Sequence, residues 1–459
     1  MTMWFPEMGD RSGPRYLAIV QAIAEGTASG RLEPGARLPT HRELAERLGV
    51  TVGTVTRAYA EAARRGLVSG EVGRGTFARR PLDGVPPEES ESTLVDLSVN
   101  YPPTSAEDAR QFRSTLRELA ERADLARFLS YQPNAGAPSH RAAGARWITR
   151  AGVDARPEQV LVCAGSQHAL MILFSTLVGP GDVVLCESVT YPGMRNLAAL
   201  LRIRLQGLAL DAHGLRPDAF EAACREGTPR ALYCVPTLQN PTATIMPEER
   251  RREIAGIARA HGVPIVEDDV HGFLPDSRPR PLSAFAPDTS FYVNSTSKSL
   301  APGLRVGYLL SPPAHVSRLA SAVGSTVWMV APLMAEVVSS WILEGRAGAV
   351  LAEKRAEAAA RQALARRILG ATRIESDPSA YHLWLELPEP WSSQSFVVEA
   401  RRRGVAVTPA EAFAVDRDAV PAAVRVCLGP PRSHAELERG LTTLAEVLEG
   451  LPDLETSIV

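Results

Sequence analysis

Three helical periods and then a glycine-punctuated alternation open the chain. "RYLAIVQAIAEGTASG", from Arg15, predicts a first helix, followed by the connector "RLEPGARLPT". "HRELAERLG" predicts a second helix with Thr40 as its N-cap, because a threonine hydroxyl satisfies an early helical amide. A tight turn at Gly49–Val50 leads into a third helix, "TVGTVTRAYAEAARRG", and "LVSGEVGRGTFA" reads as a β-hairpin. The stretch "RRPLDGVPPEESEST" then has no apolar period and reads as a solvated linker. From about Leu94 the pattern changes. "QVLVCAG", "DVVLCES", "RALYCVP", "VPIVEDD" and "SFYVNST" are short, continuously apolar runs separated by helical patterns. Such runs predict an α/β domain with a buried, mainly parallel sheet. Past Ser311 a helical stretch precedes the short strands "AYHLWLEL", "GVAVTPA" and "AVRVCLG", a smaller α+β subdomain. The expected division is therefore 1–80, a linker at 81–93, a large domain at 94–310 and a small one at 311–459.

Composition narrows the class. Of the 459 residues, 45% are hydrophobic and 22% charged, ordinary values for a globular protein. The net charge is −2, yet from Arg31 to Arg80 ten arginines face five glutamates. The front end is thus locally basic, as a nucleic-acid partner requires. The five cysteines lack metal-ligand spacing and read as reduced, mostly buried thiols, and no metal site is expected. Nothing resembles a secretory leader or a membrane span, so the expected location is the cytoplasm, away from membranes.

Lysine usage points to chemistry. Among 50 Lys+Arg only Lys298 and Lys354 are lysines. Arginine stays protonated, whereas a lysine can lose its proton and attack a carbonyl. Lys354 lies in an Ala/Glu/Arg stretch that reads as a solvated helix face. Lys298 lies in "STSKSLAPGLR", a turn context.

Two short helices joined by a glycine turn form a helix-turn-helix, whose second member enters the major groove of double-stranded DNA. From "GRLEPGARLPT" to "GRGTF" the front end resembles the winged helix-turn-helix of the GntR family. The resemblance implies DNA contacts from Arg42, Thr51, Thr54, Thr56 and Arg57 on the helices, and from Arg74 and Thr76 in the wing. Val52 and Gly53 stand where many relatives carry long polar side chains. That favours contact with a thymine methyl over bidentate reading of guanine.

The larger part presents "AGSQHAL", "ESVTYPG", "PTLQNPTA", "VEDDVHGF" and "STSKSLAPGLR" in that order, each after a candidate strand end. In this order they resemble fold-type I aminotransferases, which use pyridoxal 5′-phosphate (PLP). The resemblance implies that Lys298 holds the cofactor as an internal aldimine. A buried carboxylate must keep the pyridine nitrogen protonated. Asp268 and Asp269 are both placed for this, and the family spacing to position 271 selects Asp268. His271 replaces the usual tyrosine at the ring hydroxyl, and a histidine titrating near neutrality would alter the aldimine's protonation. Asn240 is implied as the other partner of that oxygen, and Tyr191 as the aromatic plate. Ser166, Gln167, Ser295, Ser297 and Arg305 are implied as the phosphate clamp. Tyr131 is implied to reach the phosphate of a partner subunit, and Arg425 to grip a substrate carboxylate.

A GntR-like reader joined to an aminotransferase-like body resembles the MocR subfamily of transcriptional regulators. That resemblance implies a homodimer, in some members domain-swapped, which senses PLP or a small amino compound by aldimine exchange at Lys298. The alternative is a working aminotransferase of amino acids with an accessory DNA-binding domain.

Overall fold

The computed structural model describes residues 4–6, 14–28, 31–32, 36–64, 67–71, 75–78, 94–370, 374–416 and 420–450. The expected linker therefore lies outside the described residues, as does Arg74. The chain forms two compact units, Met1–Glu91 and Ser92–Val459.

In the first unit, helices α1 (Arg15–Ala28), α2 (His41–Leu48) and α3 (Val52–Arg64) precede the antiparallel pair β1 (Val68–Glu71) and β2 (Gly75–Ala78). Ile19, Val20, Ile23, Leu44, Val55, Ala58 and Tyr59 make its core. Thr40 caps α2 as expected. Its hydroxyl accepts from the Glu43 amide while the Glu43 carboxylate accepts from the Thr40 amide. Gly49 ends α2 at φ +61°, in the left-handed region that glycine tolerates and that turns the chain into α3.

The second unit is built on a seven-stranded sheet. Its strands are β3 (Val160–Cys163), β4 (Val183–Glu187), β5 (Arg204–Leu208), β6 (Ala231–Cys234), β7 (Ile265–Asp268), β8 (Ser290–Ser295) and β9 (Gly307–Leu310). The spatial order is β3-β9-β8-β7-β6-β4-β5. The pairings among β8, β7, β6, β4 and β5 are parallel, and only β9 runs against its neighbours. The five predicted strand runs are all present. Each is buried on both faces, which explains why their sequences are continuously apolar. A second sheet carries β10 (Ile374–Glu375), β11 (His382–Glu386), β12 (Thr408–Pro409) and β13 (Ala423–Cys427), in the order β10-β11-β13-β12.

The cores divide the unit differently from the expected boundary at 310/311. Leu319, Val323, Val337, Trp341 and Leu351, on helices that follow residue 311, pack into the cores of the large sheet. Val95 and Leu97, which precede the large domain's first strand, pack with Leu383, Val424 and Leu441 in the small core. The long helix Arg346–Leu369 passes from one core to the other, so the division falls within it. Lys354 corrects another expectation. It is buried rather than solvated, paired with Asp108 and donating to the Pro103 carbonyl at 2.7 Å. All five cysteines are buried and unpaired.

Candidate functional site

The carboxyl ends of the parallel strands converge on a cavity of about 510 Å³. This is where an open α/β sheet presents its ligand crevice. Of the residues singled out in the sequence, Ser166, Gln167, Tyr191, Asn240, Asp268, His271, Ser297, Lys298, Arg305 and Arg425 line it. They come from six separate stretches of chain; the large sheet gathers five of them, and Arg425 comes from the smaller sheet.

Asp268 ends β7 and is 2% exposed. One carboxylate oxygen accepts from the Tyr233 hydroxyl at 2.9 Å, and Oδ1 has no partner. Burial pushes this acid up to about 6, against the lowering effect of Tyr233. Its neighbour Asp269 points elsewhere, bound by the Tyr292 hydroxyl and ion-paired with Arg278 at 2.8 Å. The alternation of a strand puts the two carboxylates on opposite faces, so only one meets the cavity.

Lys298 follows β8 on a single helical turn and donates to the Asn100 carbonyl. Burial pushes its ammonium down to about 8, with Arg425 adding repulsion. The neutral amine is therefore accessible near physiological pH.

A helix, α4 (Ser166–Leu177), begins at the cavity. Its first residue follows Gly165, which caps it without a side chain, so the first amides keep their donors free. Gly165 has φ +85°, and a Cβ there would lie 2.6 Å from Arg305 Nη2. Only glycine lets the helix start and that guanidinium approach so closely. Arg305 donates to the Ala164 carbonyl at 3.2 Å. Ser295 lies beneath the surface, fully buried. Its hydroxyl is 2.9 Å from that of Ser297 and accepts from the Ser297 amide, so it orients the serine that reaches the cavity.

Arg425 on β13 donates to Asn240 Oδ1 at 2.8 Å and to the Ser98 carbonyl at 2.6 Å, over the Phe413 ring. Its Nε has no partner. His271 is 3% exposed. Burial, with His382 and Lys298 nearby, holds it well below the usual histidine range. The expectation of a histidine titrating near neutrality is thus corrected, and this imidazole stays neutral. Tyr131 is not brought to the cavity. It is 80% exposed and packs on Trp328. Sequence reasoning passed over Ser98, Asn100, Thr408 and His382. Asn100 in "LSVNYPP" and His382 in "YHLWLEL" were visible only as polar residues in apolar runs.

In the first unit, Arg42, Val52 and Gly53 are exposed. Thr51 accepts from the Thr54 amide at 3.2 Å and starts α3, while Thr56 donates to the Val52 carbonyl. Arg57 lies 4.1 Å over the Tyr16 ring. Thr76 is partly buried on β2. Thr51, Thr54, Thr56 and Arg57 thus have side-chain contacts within the domain, whereas the Arg42 and Thr76 side chains make no hydrogen bond or ion pair among the described residues.

The family model for aminotransferases of class I and II matches residues 92–444, most of the chain. The chain belongs to that family. The model for bacterial regulatory proteins of the gntR family matches residues 15–78. An aminotransferase-family body preceded by a GntR helix-turn-helix is the MocR-type arrangement. The uncharacterized HTH-type transcriptional regulator YdeF of Bacillus subtilis is 29% identical over 452 residues, which cover 98% of this chain and 97% of that one. The HTH-type pyridoxine biosynthesis transcriptional regulator PdxR of Corynebacterium glutamicum is 28% identical over 344 residues, 71% of this chain and 72% of its own. Among solved structures, the α-aminoadipate aminotransferase LysN of Thermus thermophilus, complexed with N-(5′-phosphopyridoxyl)-L-leucine, superposes with a TM-score of 0.69. It is 26% identical and covers 78% of this chain and 92% of its own.

Proposed function

We propose that the protein is a DNA-binding transcriptional regulator whose aminotransferase-family body binds PLP and responds to a small amino compound at Lys298. The cavity carries the reading: an amine, a buried acid, an imidazole, a helix start and two guanidiniums meet in one space. Kinship with regulators across nearly the whole chain supports the DNA-binding half.

The residues present fit the cofactor. Asp268 Oδ1 and His271 Nδ1 are buried polar atoms with no partner, a state that costs free energy unless a ligand completes them. When bound, PLP supplies an aldehyde that condenses reversibly with amines and a ring that draws electrons from the attached carbon. Lys298 would offer more of its neutral amine near neutral pH than an exposed lysine does, because burial disfavours its charge. Asp268 would hold a proton at a ring nitrogen, His271 and Asn240 would flank the ring oxygen, and Tyr191 would cover a ring face. The start of α4 with Ser297 and Arg305 would hold the phosphate through free amides, a hydroxyl and a fixed cation. Arg425, with Nε unpaired, would take a carboxylate of the effector. Tyr131 would serve the cavity of a second copy in a homodimer.

The second reading, an aminotransferase, has support from the same lysine, acid and arginine. Repeated release of keto acid from an added amino acid favours it, whereas a single stoichiometric response favours the regulator.

The test is a PLP titration of the full chain. A new visible absorbance band should develop, and borohydride should then fix one equivalent on the peptide containing Lys298, read by mass spectrometry. Lys298→Ala should show neither. A label on Lys354, or no label, would remove the assignment.

A further inference from the structure

Two histidines and an asparagine, of which His271 and Asn100 line the cavity, form a chain of hydrogen bonds whose direction is set at one end. His382 Nε2 lies 2.9 Å from the carbonyl oxygen of Gln239, and a carbonyl only accepts. That nitrogen therefore carries a proton. His382 is fully buried, and burial pushes it down to about 3, so the ring is neutral and Nδ1 must accept. Its neighbour is Asn100 Nδ2 at 3.1 Å, which fixes the amide with its donor side toward the histidines. The same Nδ2 lies 3.4 Å from His271 Nε2. His271 Nε2 must then accept too, and the one proton of this neutral ring is left on Nδ1. That atom is buried and has no partner.

Gln239 itself is held firmly. Its side chain donates to the Val189 carbonyl at 2.8 Å and accepts from the Thr242 amide and hydroxyl, both at 2.9 Å. The carbonyl that anchors the chain belongs to the backbone of the same residue, and it also accepts from the Ala243 amide at 2.6 Å.

We propose that Asn100 and His382 are positioning residues, which fix the tautomer of His271 so that it presents Nδ1–H as a donor to the bound ligand. The role of that ligand as PLP rests on the function proposed above. The fixed tautomer does not, since every link in it is protein. The donor is assembled from three parts of the chain: the segment before the large sheet's first strand, the loop after β7, and β11 of the small sheet. A tyrosine hydroxyl rotates to suit its acceptor, whereas an imidazole donates only from the nitrogen that bears the proton. A histidine at position 271 needs such a device.

The test is nitrogen-15 NMR of the full chain with labelled histidine, first without PLP. His271 and His382 are assigned by loss of signal in His271→Gln and His382→Gln. His271 should show its proton on Nδ1 and His382 on Nε2, both rings neutral at pH 7. In Asn100→Asp, an isosteric change that removes the donor, the His271 proton should move to Nε2 and the His382 signal should shift with it, because its Nδ1 loses the same donor, while the histidines elsewhere stay. PLP binding by that variant should weaken by about tenfold or more, the loss expected for a hydrogen bond to a charged acceptor. A wild-type His271 protonated on Nε2 overturns the proposal, as does an Asn100→Asp spectrum with an unmoved His271 proton. Correct tautomers in a protein that never takes up PLP would sink the cofactor reading and leave the fixed tautomer standing.

Discussion

Lys298 and Lys354 share a side chain and almost nothing else. Lys298 has a carbonyl for a neighbour and no carboxylate in contact, so burial pushes its ammonium down to about 8. Lys354 is locked to Asp108. Cyanate, which reacts with the free amine, should carbamylate Lys298 in PLP-free protein with a rate that climbs as pH rises through about 8. The ordinary lysine value is about 10.4. The direction follows from the sign of the shift: a depressed pKa makes the amine form available at lower pH. Lys354 should stay unmodified. Peptide mass spectrometry reads both, and a Lys298 midpoint near the ordinary lysine value would contradict the burial argument. Lys298 stood out in the sequence because arginine cannot replace an amine nucleophile, and its place in the lining of the cavity agrees with that choice. The burial of Lys354 was not, since its carboxylate partner lies 246 positions away. For the same reason Asn100 and His382 went unseen: nothing local announces a bond to a residue 282 positions on. The strand it ends placed Asp268 beside Asp269 without separating them; the family spacing chose Asp268, and the structure puts it rather than Asp269 in the lining of the cavity.

Among the elements, α2, α3 and the hairpin were the most readable, because a cap, a turn glycine and an apolar period agree on them. Removing the cap with Thr40→Ala should cost about 1 kcal/mol locally. Faster amide exchange in residues 41–48 of the full chain, with the body's exchange unchanged, is the expected reading. Arg42 is exposed on α2 and makes no hydrogen bond or ion pair among the described residues. Arg42→Ala should weaken binding to DNA flanking the protein's own gene by about 1–3 kcal/mol, while Arg57→Ala should also loosen the helix through loss of Tyr16. Affinity measured by fluorescence anisotropy should fall steeply with salt as counterions are released. An unaltered affinity in Arg42→Ala would take that residue off the interface. The division between large and small domains was less legible. The helices after residue 311 show which face is apolar but not which sheet that face meets, and Val95 and Leu97 join a core assembled mostly from residues past 360.

At the scale of the molecule, a ligand in the body can change DNA binding only by as much as it discriminates between two arrangements of the protein. An amine that competes for the place of Lys298 and sets a carboxylate against Arg425 would join residues of the large and small domains, and would favour the arrangement in which they meet. Arg425→Ala should therefore keep PLP and its visible band but respond weakly to α-amino acids, by tenfold or more in the concentration needed. A normal response would show that the effector has no carboxylate beside its amine. The central claim is that the body is a receptor acting on the reader through Lys298. Its most direct test is the affinity of the full chain for the DNA flanking its gene, measured without PLP, with PLP, and with PLP plus a panel of amino acids and amines. The account predicts a shift in the wild type on adding at least one amine, and no such shift in Lys298→Ala. Superimposed curves for the wild type under all conditions, or an equal shift in Lys298→Ala, would contradict it.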